Sequence, residues 1–318
     1  MATMQPGVPE AEQALVTKQA VTPGGGQGRR TALTGLGFVL QFMIAYALFL
    51  LWPIILGLRM SFYNWSLVGK GASDFAGLSN YGEALADSAF WISLWHTILF
   101  TILSTPILVV LGLALALLAN TVPWGKGIFR LAFFAPYVLP SAVVALIWVW
   151  LYEPGFGLIS ASFATIGLGN IGWLTSANVA MISIVLTTVW WTIGFNFILY
   201  LAGFQEIPKE MYEAASIDGA STWSRLRYVT IPLLSRTTML VLVLQVLASL
   251  KIFDQIYLMT TGGPNFSTEP IIEYIYDTGF TTYRVGYASA MSYAFFVIIL
   301  AVSVLMFALL NRRGGNAR

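Results

Sequence analysis

The stretch from Phe204 to Arg236 concentrates groups that can do chemistry in a chain that is only 9% charged. It holds four acids (Glu206, Glu210, Glu213, Asp218) and four bases (Lys209, Arg225, Arg227, Arg236). Pro208 suits the first position of a helix, where its fixed φ fits and its missing N–H would have had no partner. Glu206, Glu210 and Glu213 then lie in or near the first turns, where the positive end of the helix dipole favours carboxylates. Ala214 and Ala215 continue the helix with strong formers, and Gly219 ends it. A second helical piece places Trp223, Leu226 and Val229 or Thr230 on one face, and Pro232 marks entry to the next apolar run. The product is a short helix, a glycine turn and a second helix. The small, smooth surface around Ala214, Ala215 and Ala220 suits docking into a groove on another protein. The competing reading is an amphipathic helix lying on a membrane surface. Equal numbers of acids and bases weaken it, because attraction to anionic lipid is then slight.

The rest of the chain must position this loop, and its composition says how. Of the 318 residues, 58% are hydrophobic and 14% aromatic, whereas a soluble domain carries about a quarter charged residues. That balance excludes a soluble enzyme and a disordered chain. A net charge of +2, with no basic stripe, excludes a nucleic-acid binder. Cysteine is absent and His96 is the one histidine, so thiolate and histidine-cluster metal sites and a cysteine nucleophile are excluded. A polytopic membrane protein remains.

Six apolar runs are long enough to span a bilayer, each needing about 20 residues: Thr31–Leu58, Trp91–Ala119, Leu131–Tyr152, Ala177–Gly203, Thr237–Leu258 and Val285–Leu310. With the N-terminus inside, 12 of the 16 Lys and Arg residues fall in inner segments. The positive-inside rule therefore puts both termini in the cytoplasm. Pro53, Pro106, Pro136 and Pro140 predict kinks, and Gly112 with Ala116 predicts a close helix contact. Trp148, Trp150 and Tyr152 read as an aromatic belt at the outer interface.

Glu213-Ala214-Ala215, then Gly219, then Ile231-Pro232-Leu233 resembles the EAA signature of ABC importer permeases. Ile217-Asp218-Gly219-Ala220 is similar to its sugar-transporter version. Gly77-Leu78-Ser79-Asn80-Tyr81 resembles the GLxNY element of carbohydrate permeases. Phe253-Asp254-Gln255-Ile256-Tyr257, followed by Thr261-Gly262-Gly263-Pro264, resembles the end of the fifth span in F-type subunits of maltose-type importers. The resemblance covers Thr31–Arg313. It implies an all-α, six-span, type I (MetI-like) permease fold in a bacterial or archaeal cytoplasmic membrane. Residues 1–30 would be a flexible tail, 31–313 the permease domain with its coupling loop at 204–236, and 314–318 a short tail. It also implies partners: a second, G-type permease, a pair of cytoplasmic ATPases and an extracytoplasmic sugar-binding protein. Glu210, Glu213, Ala214, Ala215, Asp218, Gly219 and Ala220 would then contact the ATPase. The chain would hold no cofactor itself. Gly69-Lys70 and Gly125-Lys126 lack the rest of a P-loop, so ATP and magnesium would sit in the ATPase. The chain lacks the extra spans and large outer domain of the maltose-type subunit and resembles the compact six-span form.

Sugar sites combine aromatic faces with hydrogen-bonding groups. The candidates are Trp191, Phe195, Asn196 and Tyr200 on the fourth span, with Gln245, Lys251, Asp254 and Tyr257 on the fifth. Asn196, in mid-span, is expected to face a central cavity. Lys251 and Asp254, at i,i+3, are expected to pair or to face the cavity. The rival reading is an ion-coupled secondary transporter, which requires ionisable residues at mid-membrane. Only Lys251 and Asp254 qualify, and they lie off centre. A membrane enzyme would need a catalytic constellation that the spans do not contain.

Overall fold

The computed structural model describes residues 27–68, 72–121, 126–167, 169 and 171–315. The tail expected over residues 1–30 lies outside them up to residue 26, and the tail expected at 314–318 lies outside from residue 316. Within the described residues the chain is helical almost throughout. The one sheet there is an antiparallel ribbon of β1 (Tyr63–Trp65) and β2 (Ala72–Phe75).

The described residues up to Gly57 form one unit and those from Leu58 a second. In the first, α1 (Gln27–Tyr46) passes through a π-helical turn (Ala47–Leu51) into α2 (Trp52–Ser61), whose residues from Leu58 on belong to the second. The widened turn falls just before Pro53, whose ring crowds the preceding turn and whose nitrogen donates nothing.

The second unit continues with α3 (Ser79–Ala86), α4 (Ser88–Thr121), α5 (Lys126–Val138), α6 (Ser141–Tyr152), α7 (Leu158–Thr165) and α8 (Ala177–Gln205). Next come α9 (Lys209–Ile217), α10 (Thr222–Arg225), a π turn (Leu226–Thr230), α11 (Ile231–Leu233) and α12 (Ser235–Leu250). The chain ends with α13 (Asp254–Met259), α14 (Ile271–Tyr276), a π turn (Asp277–Thr281) and α15 (Val285–Gly315).

Among the described residues, four helices are long and apolar enough to cross a membrane: Gly35–Ser61, α4, α8 and the Val285–Leu309 part of α15. Two bent pairs bring the count to six. α5 and α6 meet at 94°, and the α10–α11 segment meets α12 at 61°. The third span, read as one helix, is thus two. Pro140 forces the break: it sits at φ −58°, ψ 143° ahead of α6, extended rather than helical. The fifth span is also shorter than read, because α12 stops at Leu250 and α13 starts anew at Asp254. Lys251 and Asp254 are therefore not on one helix and do not pair. Among the described residues the one salt bridge is Arg284 to Glu83, at 2.7 Å.

Packing centres on α4 against α8, with α5 and α12 flanking. Within a bilayer, helices associate through close packing and hydrogen bonds rather than water exclusion, so small residues mark the contacts. Gly112 and Ala116 are such a pair. A Cβ on Gly112 would lie 2.9 Å from Asn196 Cβ, and Ala116 is buried. Gly194 likewise admits the Phe133 carbonyl of α5. Polar side chains on α4 and α8 bond back to their own helix: Thr97, Thr101, Thr187, Thr188 and Thr192 each donate to the carbonyl four residues earlier. The expected aromatic belt is only partly one. Trp150 is exposed, but Tyr152 is core: its hydroxyl donates to the Ser183 carbonyl at 3.1 Å and its ring stacks on Trp173 at 5.4 Å.

Candidate coupling loop and substrate path

Pro208 caps α9 rather than opening it: it is extended (φ −60°, ψ 136°), and the helix starts at Lys209 with Glu210 in its first turn. The C-terminus closes as the glycine reading requires. Gly219 has φ 73°, its N–H reaches the Ser216 carbonyl at 3.1 Å, and the Ala220 N–H reaches the Ala215 carbonyl at 2.9 Å. This paired closure satisfies carbonyls that a helix end leaves open. Ser221 then caps α10, its hydroxyl accepting from the Ser224 N–H at 3.2 Å.

Two contacts hold the two pieces together. The Tyr212 and Thr230 hydroxyls meet at 3.1 Å, and Arg225 Nη1 donates to Ser216 Oγ at 3.2 Å. Tyr212 also packs on the cluster that includes Phe204, Ile207 and Leu234. The opposite face of α9 is open. Glu210, Glu213, Ala214 and Ile217 fall at i, i+3, i+4 and i+7, and all are exposed, Ile217 at 87%. Asp218 and Gly219 are exposed beside them, while Ala215 and Ala220 are half-buried against the rest of the loop. The sequence reading stressed the alanines and gave no role to Ile217 or Tyr228, which with Met211 and Trp223 are among the large exposed apolar groups here. The helical spacing from Glu210 to Ile217 was the signal available for the first of them.

The proposed substrate residues do not form one surface. Asn196 is fully buried: Nδ2 donates to Gln245 Oε1 on α12 at 3.1 Å, and Oδ1 has no partner among the described residues. The expectation that Asn196 faces a cavity is therefore corrected. The close approach at Gly112 leaves no room for one. From Gln245 the bonds continue across the interface. Its Nε2 donates to Ser249 Oγ at 3.1 Å, which lies 3.2 Å from Ser104 Oγ and 3.5 Å from Thr105 Oγ1 on α4. This polar seam joins α4, α8 and α12. Tyr200 is also buried, one turn beyond Asn196. Trp191 and Phe195 lie on another side of α8 and are half-buried. Trp191 Nε1 donates to the Leu139 carbonyl at 3.2 Å, beside the α5–α6 break, and Phe195 stacks on Tyr137 at 5.3 Å. Lys251 and Asp254 are exposed, and Tyr257 joins a cluster with Phe253 and Tyr276.

The end opposite α9 holds an acidic corner that sequence reasoning missed. Asp87 caps α4 by accepting from the Ala89 N–H at 2.9 Å. Burial pushes its carboxyl up, but bonds from Tyr274, Tyr287 and the Ala89 and Phe90 amides outweigh that and hold it below the usual range. Glu269 accepts from Ser93 Oγ at 3.1 Å, and its carbonyl meets His96 Nδ1 at 3.2 Å. Glu273 on α14 is 1% exposed, and burial, with the Glu269 and Asp277 carboxylates, pushes it up to about 8. Glu269, Glu273 and Asp277 recur at i, i+4 and i+8, a helical spacing that was available as a signal, whereas Asp87 lies far earlier in the chain and gave none.

The comparisons with known proteins agree with this architecture. The family described as "Binding-protein-dependent transport system inner membrane component" matches residues 108–314, which include the whole of α9 and its turn. The sn-glycerol-3-phosphate transport system permease protein UgpA of Agrobacterium fabrum is 34% identical, over 85% of this chain and 92% of its own. The trehalose/maltose transport system permease protein MalF of Thermococcus litoralis is 32% identical, over 86% and 92%. A solved bacterial ABC transporter that imports the acidic polysaccharide alginate shares the fold, with TM-score 0.77 and 24% identity over 90% of this chain and 98% of its own. The MetI-like, type I permease fold implied by the EAA-like residues is thus the fold observed. The chain belongs to the binding-protein-dependent family of ABC transporter permeases, the inner membrane components of such systems.

Proposed function

We propose that this chain is one permease half of an ATP-driven importer for a sugar or related polyol, and that a separate ATPase drives it through α9. The observation that carries the reading is the open face of α9, with Glu210, Glu213, Ala214 and Ile217 exposed on a short helix braced from behind by Tyr212 and closed by Gly219. A braced helix with a free, mixed face is built to seat in a partner's groove. The Lys and Arg bias supports placing this end in the cytoplasm. Relatives named for trehalose/maltose and sn-glycerol-3-phosphate support a carbohydrate or polyol substrate. The alginate transporter, solved in complex with a periplasmic protein carrying an alginate pentasaccharide, supports a binding-protein partner. The remaining partners are a G-type permease and a pair of ATPases, which would hold ATP and magnesium. Trp191 and Phe195 stay as proposed substrate contacts.

The chain has no cysteine, so single cysteines report cleanly. Ala214→Cys and Ile217→Cys should cross-link to the ATPase in the assembled complex, and Ala215→Cys, half-buried, should cross-link less. Absence of any cross-link from α9 would overturn the coupling assignment.

A further inference from the structure

At the end opposite α9, four aromatic rings from three neighbouring segments form a continuous ladder. Phe253 stacks on Tyr257 at 5.3 Å with 29° between planes, and Tyr276 on Phe280 at 5.2 Å with 33°. Tyr276 bridges the two pairs, 5.6 Å from both Phe253 and Tyr257. The ladder is not core. None of the four rings is buried; Tyr276 is 36% exposed and Phe280 61%. Carboxylates accompany it. Asp254, exposed in the first turn of α13, lies between Phe253 and Tyr257 in the chain. Asp277 follows Tyr276, and its Oδ1 accepts from Thr281 Oγ1 at 3.3 Å.

We infer that this ladder is a saccharide-binding platform, distinct from the buried polar seam, and that it selects uncharged sugars. The clustered C–H bonds on one face of a pyranose carry partial positive charge and pack on the negative face of an aromatic ring. The ring hydroxyls require acceptors at the rim, and a carboxylate accepts two at once. The structure supplies both kinds of group together on one exposed surface. The charge sets the selectivity. Asp254 and Asp277 add negative potential beside the rings, with Lys251 the one cation in the same stretch, so a phosphorylated or uronic sugar is disfavoured. The platform would hold solute at the mouth of the helices before it enters. This inference rests on the importer reading, and it predicts that the solute differs in charge from glycerol phosphate and alginate.

The test is tyrosine nitration of the intact complex in nanodiscs, read by mass spectrometry at Tyr257 and Tyr276. The probes are maltose, trehalose, maltotriose and sorbitol, against sn-glycerol 3-phosphate and an alginate oligosaccharide. A neutral probe should protect both tyrosines and the anionic probes should not. In transport, Phe280→Ala and Tyr276→Ala should raise the half-saturating concentration about tenfold, while Tyr276→Phe, which keeps the ring, should stay near wild type. Basal ATP hydrolysis should be unchanged in all three. Protection by the anionic probes alone, or by none, would overturn the platform. So would an alanine variant that loses capture of the binding protein while keeping its sugar protection, because the rings would then be a protein-docking surface. None of these results touches the cross-linking of α9 to the ATPase, so the platform and the importer reading fail separately.

Discussion

Gly219 sits where the backbone is left-handed, at φ 73°, and a Cβ there would meet nothing within 4 Å. Within this chain the cost of a Cβ there is therefore backbone strain. Gly219→Leu should cost about 1 kcal/mol or more in the turn and re-aim α9, lowering sugar-stimulated ATPase activity while the protein still reaches the membrane. Gly219→Asn, which tolerates this conformation, should retain most coupling. Equal activity in the two variants would contradict the strain argument. Asn196 presents the opposite case. Its amide is enclosed, so Asn196→Ala should lower the thermal unfolding midpoint in detergent by removing the bond to Gln245 and leaving that group short of a partner, at a cost of about 1–3 kcal/mol. Adding Gln245→Leu should restore part of the loss, because removing both polar partners leaves no orphan. Loss of transport without loss of stability in Asn196→Ala would instead point to direct solute contact. At this scale the sequence was half legible. A glycine after a run of helix formers names its own conformation. An asparagine in an apolar run says only that it needs a partner, and Gln245 lies 49 residues away.

Among the elements, α14 is the one with an ionisation built into its packing. Glu273 is buried, its carboxyl is pushed up to about 8, and Oε2 has no partner among the described residues. A raised carboxylate pKa means that the folded state holds the proton more tightly than the unfolded state. Its contribution is therefore complete below the unfolded value of 4.5 and is lost as pH rises towards about 8. The unfolding midpoint of the purified protein should fall over that window. Glu273→Gln, which is neutral throughout, should flatten the decline and unfold at a higher temperature than wild type at pH 8. A decline as steep in the variant would assign it to other groups, such as Glu269, whose carboxyl burial also pushes up. The elements show why some boundaries were legible. Of the four prolines expected to kink helices, Pro140 stands at a break and Pro53 follows a π turn in a continuous helix, while Pro106 and Pro136 lie inside the unbroken α4 and α5. The 94° angle at Pro140 was not readable, since the groups that meet at the break are distant in sequence: Trp191 of α8 donates to the Leu139 carbonyl, 52 residues away. The end of α12 at Leu250 was hidden because Ile252, Phe253 and Ile256 continue the apolar pattern past it.

For the whole molecule, span number and charge bias follow from composition, because a bilayer tolerates only helices with satisfied backbones and sorts Lys and Arg between its faces. Which helices touch was not readable. The α4–α8 contact depends on Gly112 facing Asn196 and the α5–α8 contact on Gly194 facing Phe133, whereas Gly35, Gly37 and Gly82 face no neighbour within 4 Å. That the candidate substrate residues do not share one surface was unreadable for the same reason. Trp191, Phe195, Asn196 and Tyr200 are near in sequence, but Asn196 and Tyr200 turn into the core while Phe195 lies against α5 and Trp191 against the α5–α6 break.

The hydroxyl contact between Tyr212 and Thr230 has a mechanical consequence. Thr230 closes the π turn that leads through α11 to the 61° elbow before α12, and α12 carries Gln245, half of the buried amide pair. On the proposed docking of α9, a push there would be applied to the short arm of a crank whose long arm ends at the seam between α8 and α12. A rigid elbow transmits torque and a slack one absorbs it, so the stiffness of four residues, from Ile231 to Leu234, would set how far such a movement is felt among the other helices.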